Sequence, residues 1–469
     1  MNRLFYVAST VAMLLAFSAC DDDDENNTDN VASNISETTI EANRFVHDVM
    51  TDYYLWYNYM PSLNYKNQPD TKAYFDTLCY SGDRFSFIID DAESYLKAEE
   101  GISTEKGWDY TLMLYKSNSD DVIAVVNYVY PNTPAYKAGV KRGDVIMTVN
   151  GTQMTVSNYN IFNSGTATYG AKRYNATNDV YDDVTYNIAS AQIETSPVAE
   201  HSIFDTKIGK IGYLLYMDYY DEFNNELSDV FSEFKSEGVT DLILDLRYNT
   251  GGAMLAMQHL CSLIAPAANV SAKDLLIYYK FNDKLTSYPD YNKESTGTYF
   301  EEAEAGNSLN LNRIAILVGS STYSASEATI IGLQPYMDVY TFGYTTGGKN
   351  TSMFVLQPSD FTNQKTGKPY YSSDIDNWLI APIVAQYYNA NDYTFDTSNK
   401  KGIKPDYEFN EYSYDDMGTL GNQNEPLTAL ALQFLTDGTV EGNKAAQIAP
   451  QIIAHSDRFG GAIISKPIK

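Results

Sequence analysis

The sequence predicts an α/β core on a mixed, largely parallel sheet with flanking helices, joined to a small β domain and a small N-terminal helical domain. Three observations carry this. Between about 208 and 437, short continuous apolar runs alternate with amphipathic stretches, the pattern of parallel strands buried on both faces. Between about 101 and 189 the pattern is one of short strands broken by Gly-Asp and Asn-Gly turns. Between about 40 and 95, apolar residues recur at spacings of three and four. A chain of 469 residues is also too long for one ordinary domain, and two to four are expected.

The first residues read as an export leader. Arg3 precedes a mostly apolar run over 4–17, followed by Ser18, Ala19 and Cys20. That run is short for a membrane-spanning helix. A positive start, a short apolar core and small residues before a cleavage point make a secretory signal over 1–19. Small residues directly before a cysteine resemble a bacterial lipobox, although Phe17 stands where leucine is more usual. The resemblance implies lipid on Cys20 and a membrane-anchored lipoprotein of the cell envelope, at a bacterial outer membrane or surface. Asp21, Asp22, Asp23 and Asp24 open a polar stretch (20–37) that cannot bury a core and reads as a tether. An acidic run after a lipidated cysteine also resembles a surface-export signal.

Residues 38–98 form the expected helical domain. Phe45, Val46, Met50, Tyr53, Tyr54 and Trp56 share helical spacing, Pro61 is expected to stop that helix, and a second segment covers 74–78. Residues 99–195 form the β domain, with strands over 110–115 and 122–129. Pro131-Asn132-Thr133-Pro134-Ala135 then opens a short helix ending at Gly139. A turn at Gly143-Asp144, a strand over 145–149 and a turn at Asn150-Gly151 follow. The order and spacing of Pro-Ala, Ala-Gly, Gly-Asp and Asn-Gly closely resemble a PDZ domain.

The α/β core spans 196–440, and 441–469 is a C-terminal tail. Strands are expected at 211–216, 242–244, 314–318 and 339–342. A helix over 222–236 places Leu227, Val230, Phe231 and Phe234 on one face.

Composition narrows the function. A formal net charge of −29 repels phosphate backbones and argues against nucleic-acid partners. The chain has 41 tyrosines, which favour β-rich structure. Its cysteines, Cys20, Cys79 and Cys261, form no CxxC, and His47, His201, His259 and His455 form no HExxH. No metal and no other cofactor are therefore expected. Cys79 and Cys261 read as buried thiols, with a disulfide between them left open.

Three segments carry candidate chemistry. Ser321-Thr322-Tyr323-Ser324-Ala325-Ser326-Glu327 follows the strand ending at Val318 and opens an apolar helix. Ser324 thus sits at the carboxyl edge of the sheet, where the positive end of a helix favours developing negative charge. Ser324 with Glu327 three residues on also spells a capping box, an ordinary helix start. Phe342-Gly343-Tyr344-Thr345-Thr346-Gly347-Gly348-Lys349 follows the next strand and reaches the same edge. A free lysine titrates near ~10.4, so Lys349 needs burial or nearby positive charge to act as a neutral base. Asp245-Leu246-Arg247-Tyr248-Asn249-Thr250-Gly251-Gly252 follows a third strand, and its paired glycines can aim backbone N–H groups at an oxyanion.

Together the segments resemble the carboxyl-terminal processing, or tail-specific, serine proteases over roughly 38–437. That family joins a helical N-terminal region and a PDZ domain to an α/β protease core. The resemblance implies that Ser324, before Ala-Ser-Glu, is the nucleophile and that Lys349, 25 residues on, is its base. It implies an oxyanion hole from Gly251, Gly252 and the N–H of Ala325. Gly402-Ile403-Lys404-Pro405-Asp406 resembles the family's closing Gly-x-x-Pro-Asp segment. The family often carries a glutamine four residues after the lysine, and here that position is Met353. The expected partners are protein or peptide substrates whose C-terminal tails add a strand to the PDZ domain. The loop from Gly101 through Ile102 to Trp108 is the expected capture element. Oligomeric state is not legible.

Two rival readings compete with this one. Ser232-Glu233-Phe234-Lys235 spells SxxK and Lys365-Thr366-Gly367 spells KTG, as in penicillin-binding enzymes. The first pair lies off the apolar stripe of its helix, and the second reads as a turn tip. The other rival is a weak or inactive PDZ-bearing, peptide-binding lipoprotein, which Met353 favours and Ser324 and Lys349 oppose.

Overall fold

The computed structural model describes residues 35–116, 119–363, 365–398, 401–440 and 451–455. The leader, Cys20 and nearly all of the tether lie outside the described residues. No described helix is long and apolar enough to cross a membrane. The chain forms two compact units.

The first unit combines the N-terminal segment with 278–297 and 351–387. Helix α1 (Glu37–Tyr53) starts where the Ser36 side chain accepts the Thr39 N–H. Phe45, Val46, Val49, Met50 and Tyr53 are buried along one face of α1. Helix α2 (Thr71–Leu78) adds Tyr74 and Phe75 to the same aromatic core, with Phe361 and Tyr371. Pro61 does not end α1: the helix stops at Tyr53, because Leu55 N–H leaves it for the Ile383 carbonyl at 2.8 Å. Met353 belongs to this unit, in the strand Thr351–Met353, and packs on its core.

The second unit is built mainly on two sheets. The first comprises β1 (Trp108–Leu114), β2 (Val122–Val129), β3 (Val145–Val149), β4 (Thr166–Asn175) and β5 (Val180–Ala189). They pair antiparallel in that order over a core of Trp108, Leu112, Val126, Ile146 and Tyr169. Asn150 (φ 51°) and Gly151 (φ 77°) form the tight turn after β3, a conformation that Asn-Gly tolerates at least strain.

The second sheet is built from β6 (Val198–Thr206), β7 (Gly209–Tyr216), β8 (Val239–Asp245), β9 (Arg313–Val318), β10 (Asp338–Gly343) and β11 (Tyr407–Glu408), in that order. Only β6–β7 is antiparallel. Helices α3 (Asn224–Ser236), α4 (Met254–Ile264), α5 (Ala325–Leu333) and α6 (Pro426–Asp437) belong to the same unit. On α3, Leu227, Val230, Phe231 and Phe234 are buried while Ser232 and Lys235 are exposed, which removes the SxxK reading. Lys365, Thr366 and Gly367 are exposed at a turn. From the segment expected only as a tail, β12 (Ile452–His455) forms a strand on the outer edge of β1. Cys79 and Cys261 form no disulfide; Cys261 is buried as expected but Cys79 is only half-buried, and burial pushes the Cys261 thiol up to about 12.

Candidate active site

Strand register brings the three segments together. Asp245 lies opposite Leu317, and Val318 opposite Gly343, so β8, β9 and β10 end side by side. Their carboxyl-terminal loops are then tied by hydrogen bonds. Leu246 N–H donates to the Leu317 carbonyl at 2.9 Å, and the Thr322 hydroxyl donates to the Leu246 carbonyl at 2.7 Å. Tyr323 N–H donates to the Asn249 carbonyl at 3.2 Å, and Gly347 N–H to the Thr322 carbonyl at 2.9 Å.

Ser324 stands at the start of α5 with φ 53° and ψ −113°. A non-glycine residue there is strained by roughly 1–3 kcal/mol. Ordinary helix caps sit in the extended region instead. The glycine next to Ser324 is spatial rather than sequential. A Cβ on Gly251 (φ 102°) would lie 2.7 Å from the Ser324 Cβ and 3.1 Å from the Ala325 nitrogen. Only glycine lets the 245–252 loop approach the serine this closely. Ala325 is fully buried, and its N–H, in the first turn of α5, has no intrahelical acceptor.

Gly251 departs from expectation as an oxyanion donor. Its N–H donates to the Asn249 side chain at 2.8 Å, and Asn249 is itself held by the Tyr216 carbonyl at 2.9 Å. Gly251 therefore supplies close approach, which leaves Gly252 and Ala325 as the candidate donors.

The residue that sequence reasoning undervalued is Glu327. It is fully buried. One carboxylate oxygen, Oε2, accepts the Ser324 N–H at 3.1 Å and the Lys349 N–H at 2.7 Å. The other, Oε1, accepts the Thr346 hydroxyl at 2.5 Å and the Gly348 N–H at 2.9 Å. Burial pushes this carboxyl up to about 7 against the pull of those donors. Its spacing from Ser324 is legible only as a capping box, because its other partners lie some twenty residues on. The 402–406 segment closes the same cluster: Ile403 N–H donates to the Thr346 hydroxyl at 2.6 Å, and Gly402 N–H to the Thr346 carbonyl at 3.0 Å. A Cβ on Gly402 would collide with Glu327 Oε1. Asn350, beside Lys349, spends its amide on the Phe395 carbonyl at 2.9 Å.

A second buried charge cluster fixes the 245–252 loop. Arg247 pairs with Asp245 at 2.7 Å and Glu425 at 2.9 Å. Arg142, from the turn before β3, pairs with Glu411 at 2.7 Å and with the Tyr248 hydroxyl at 2.5 Å. Burial raises the Glu425 carboxyl, but Arg247 and Arg142 outweigh it and hold the group down to about 2.

The expected tail-capture residues separate. Gly101 (φ 77°) and Ile102 belong to a two-stranded ribbon, where Ile102 pairs with Glu194 and the Gly101 carbonyl accepts Thr195 N–H at 3.0 Å. Trp108 is a core residue of β1, stacked on Phe162 at 5.2 Å. Gly107 (φ 78°) is the turn that opens β1.

Comparison with known proteins gives a consistent picture. Family models match in three places: peptidase family S41 over 210–409, the peptidase S41 N-terminal domain over 41–87, and a PDZ domain over 125–160. The carboxy-terminal processing protease CtpA of Bacillus subtilis is 26% identical over 287 residues, covering 61% of this chain and 53% of that protein. A carboxyl-terminal-processing protease of Synechocystis is 22% identical over 329 residues, covering 69% of this chain and 67% of that protein. The chain thus spans about half to two thirds of these relatives' length. The crystal structure of a candidate S41 protease from Bacteroides fragilis superposes with a TM-score of 0.64 at 27% identity, covering 84% of this chain and 97% of that one.

Proposed function

Since the chain belongs to peptidase family S41, we propose that it is a serine endopeptidase in which Ser324 attacks the scissile carbonyl and Lys349 is the general base. The observation that carries this is the shared carboxylate: one oxygen of Glu327 binds the backbone N–H of both residues. Neutral Lys349 removes the Ser324 hydroxyl proton as Oγ bonds to the carbonyl carbon. The N–H groups of Gly252 and Ala325 stabilise the oxyanion. Collapse breaks the C–N bond, and Lys349 returns the proton to the leaving amine. Water, deprotonated by Lys349, then releases the acid from the acyl-enzyme and restores Ser324. No metal or cofactor enters this scheme.

The substrates are proteins with extended C-terminal tails, which pair with the PDZ sheet before cleavage. The outer side of β1, which starts at the Gly107 turn and borders the PDZ core, supports this role better than Gly101 or Ile102, which lie in a separate two-stranded ribbon. Lipidation of Cys20 would hold the enzyme at the cell envelope.

The test is hydrolysis of unstructured casein by residues 30–469, beside Ser324→Ala and Lys349→Ala. Cleavage by the parent alone supports the dyad. Cleavage by either variant at the parent rate would refute it.

A further inference from the structure

The outer edge of β1 is occupied by this chain itself. In the sheet, β1 has β2 on one side and β12 on the other. Ile452 pairs with Met113, Ala454 with Leu112 and His455 with Thr111, antiparallel. The Gln451 carbonyl accepts the Leu114 N–H at 3.0 Å. Ala454 is 2% exposed and joins the core of this sheet. His455 is also buried, with Nδ1 3.2 Å from the Thr111 hydroxyl.

Three features mark the contact as strand addition of the kind that captures peptides. Without residues 451–455, β1 would be an edge strand with unpaired N–H and C=O groups. Residue numbers rise along β12 as they fall along β1, so β12 runs toward the Gly107 turn, the direction in which a tail would reach a carboxylate-binding loop. At its other end, Ile452 lines a cleft with Ser320, Ser321, Gly343 and Tyr344, from the loops that end β9 and β10. The occupied edge therefore leads toward the sheet edge that carries Ser324.

We infer that the β1 edge is the docking site for an extended substrate peptide and that residues 451–455 of this chain fill it as a resident plug, which a substrate tail must displace. This rests on the tail-docking part of the function proposed above, not on the catalytic part. Strand pairing through backbone groups makes the exchange possible, because any extended peptide without proline at the paired positions can replace another.

The experiment measures binding in a Ser324→Ala background, where nothing is cut. Three proteins are compared: residues 30–469, residues 30–440, and residues 30–469 with Ala454→Asp, which places a carboxylate in the apolar contact. The probe is a fluorescein-labelled peptide with the sequence of residues 450–456, followed by anisotropy. The truncated and Ala454→Asp chains are expected to bind it at least tenfold more tightly than the intact chain. Should the truncated chain fail to melt cooperatively, Ala454→Asp decides by the same tenfold criterion. Equal affinities, or no saturable binding to any of the three, would overturn the plug and leave β12 a permanent strand. Casein hydrolysis by the Ser324-containing chain reads the catalytic proposal separately. A tenfold gain in probe affinity without hydrolysis upholds the plug and removes the protease, and hydrolysis with unchanged affinity does the reverse.

Discussion

The backbone N–H of Lys349 donates to the Glu327 carboxylate at 2.7 Å, and the oxygen that accepts it also accepts the N–H of Ser324 at 3.1 Å. A single buried side chain therefore sets the distance between two loops that follow different strands.

Replacing Glu327 by glutamine keeps the shape but turns one acceptor oxygen into a donor facing N–H or O–H groups. The loop bearing Lys349 should shift, and a misplacement near 1 Å costs about 10²-fold in rate. The expected result is a kcat about 10²-fold lower with KM changed far less. Steady-state kinetics on a peptide substrate would show it. An unchanged kcat would mean that the clamp does not position the base.

The same carboxyl gives a pH dependence. Its value in the folded chain, about 7, lies above the ordinary 4.5. The protonated form thus stabilises the fold; that contribution is fully present below pH 4.5 and is lost as pH rises through 7. Protonation turns one of its two acceptor oxygens into a donor that faces two of the four groups donating to it, so hydrolysis should increase as pH rises through about 7. In Glu327→Gln this limb should vanish from the pH–rate profile, while any limb due to Lys349 stays.

Ser324 holds a backbone conformation suited to glycine. Ser324→Gly should relieve that strain and stabilise the protein by about 1 kcal/mol, while abolishing hydrolysis. Urea unfolding would measure the gain. A loss of stability would show that the serine side chain holds the turn.

Glu425 is lowered from 4.5 to about 2 although it is buried. Its contribution to stability is present above pH 4.5 and lost as pH falls through about 2. Glu425→Gln leaves Arg247 with one fewer charge partner in the interior and should cost about 3–5 kcal/mol, the range for breaking a buried pair. Thermal melts at pH 7 would register this loss. They should show a much smaller difference below pH 2.

Much of this site is legible in the amino-acid sequence. Ser324, Lys349 and the 245–252 loop fall at one sheet edge because the apolar run before each marks a parallel strand, and β8, β9 and β10 are neighbours. Three things are hidden. Gly251 reads as a donor because pattern shows where glycine stands, not where its N–H points, and Asn249 takes that N–H. Glu327 reads as a cap because its sequence neighbour is Ser324, while Thr346, Gly348 and Lys349 reach it only through the sheet. Similarly, four residues at 452–455 give too short an apolar run to distinguish a strand from a tail, since their order comes from the β1 edge they join.

The most direct measurement is covalent labelling by a serine-reactive sulfonyl fluoride, with the modified residue located by peptide mass spectrometry. One adduct is expected, on Ser324, and it is lost in Lys349→Ala although that variant stays folded. An adduct on another serine, or equal labelling of Ser324 without Lys349, would contradict it.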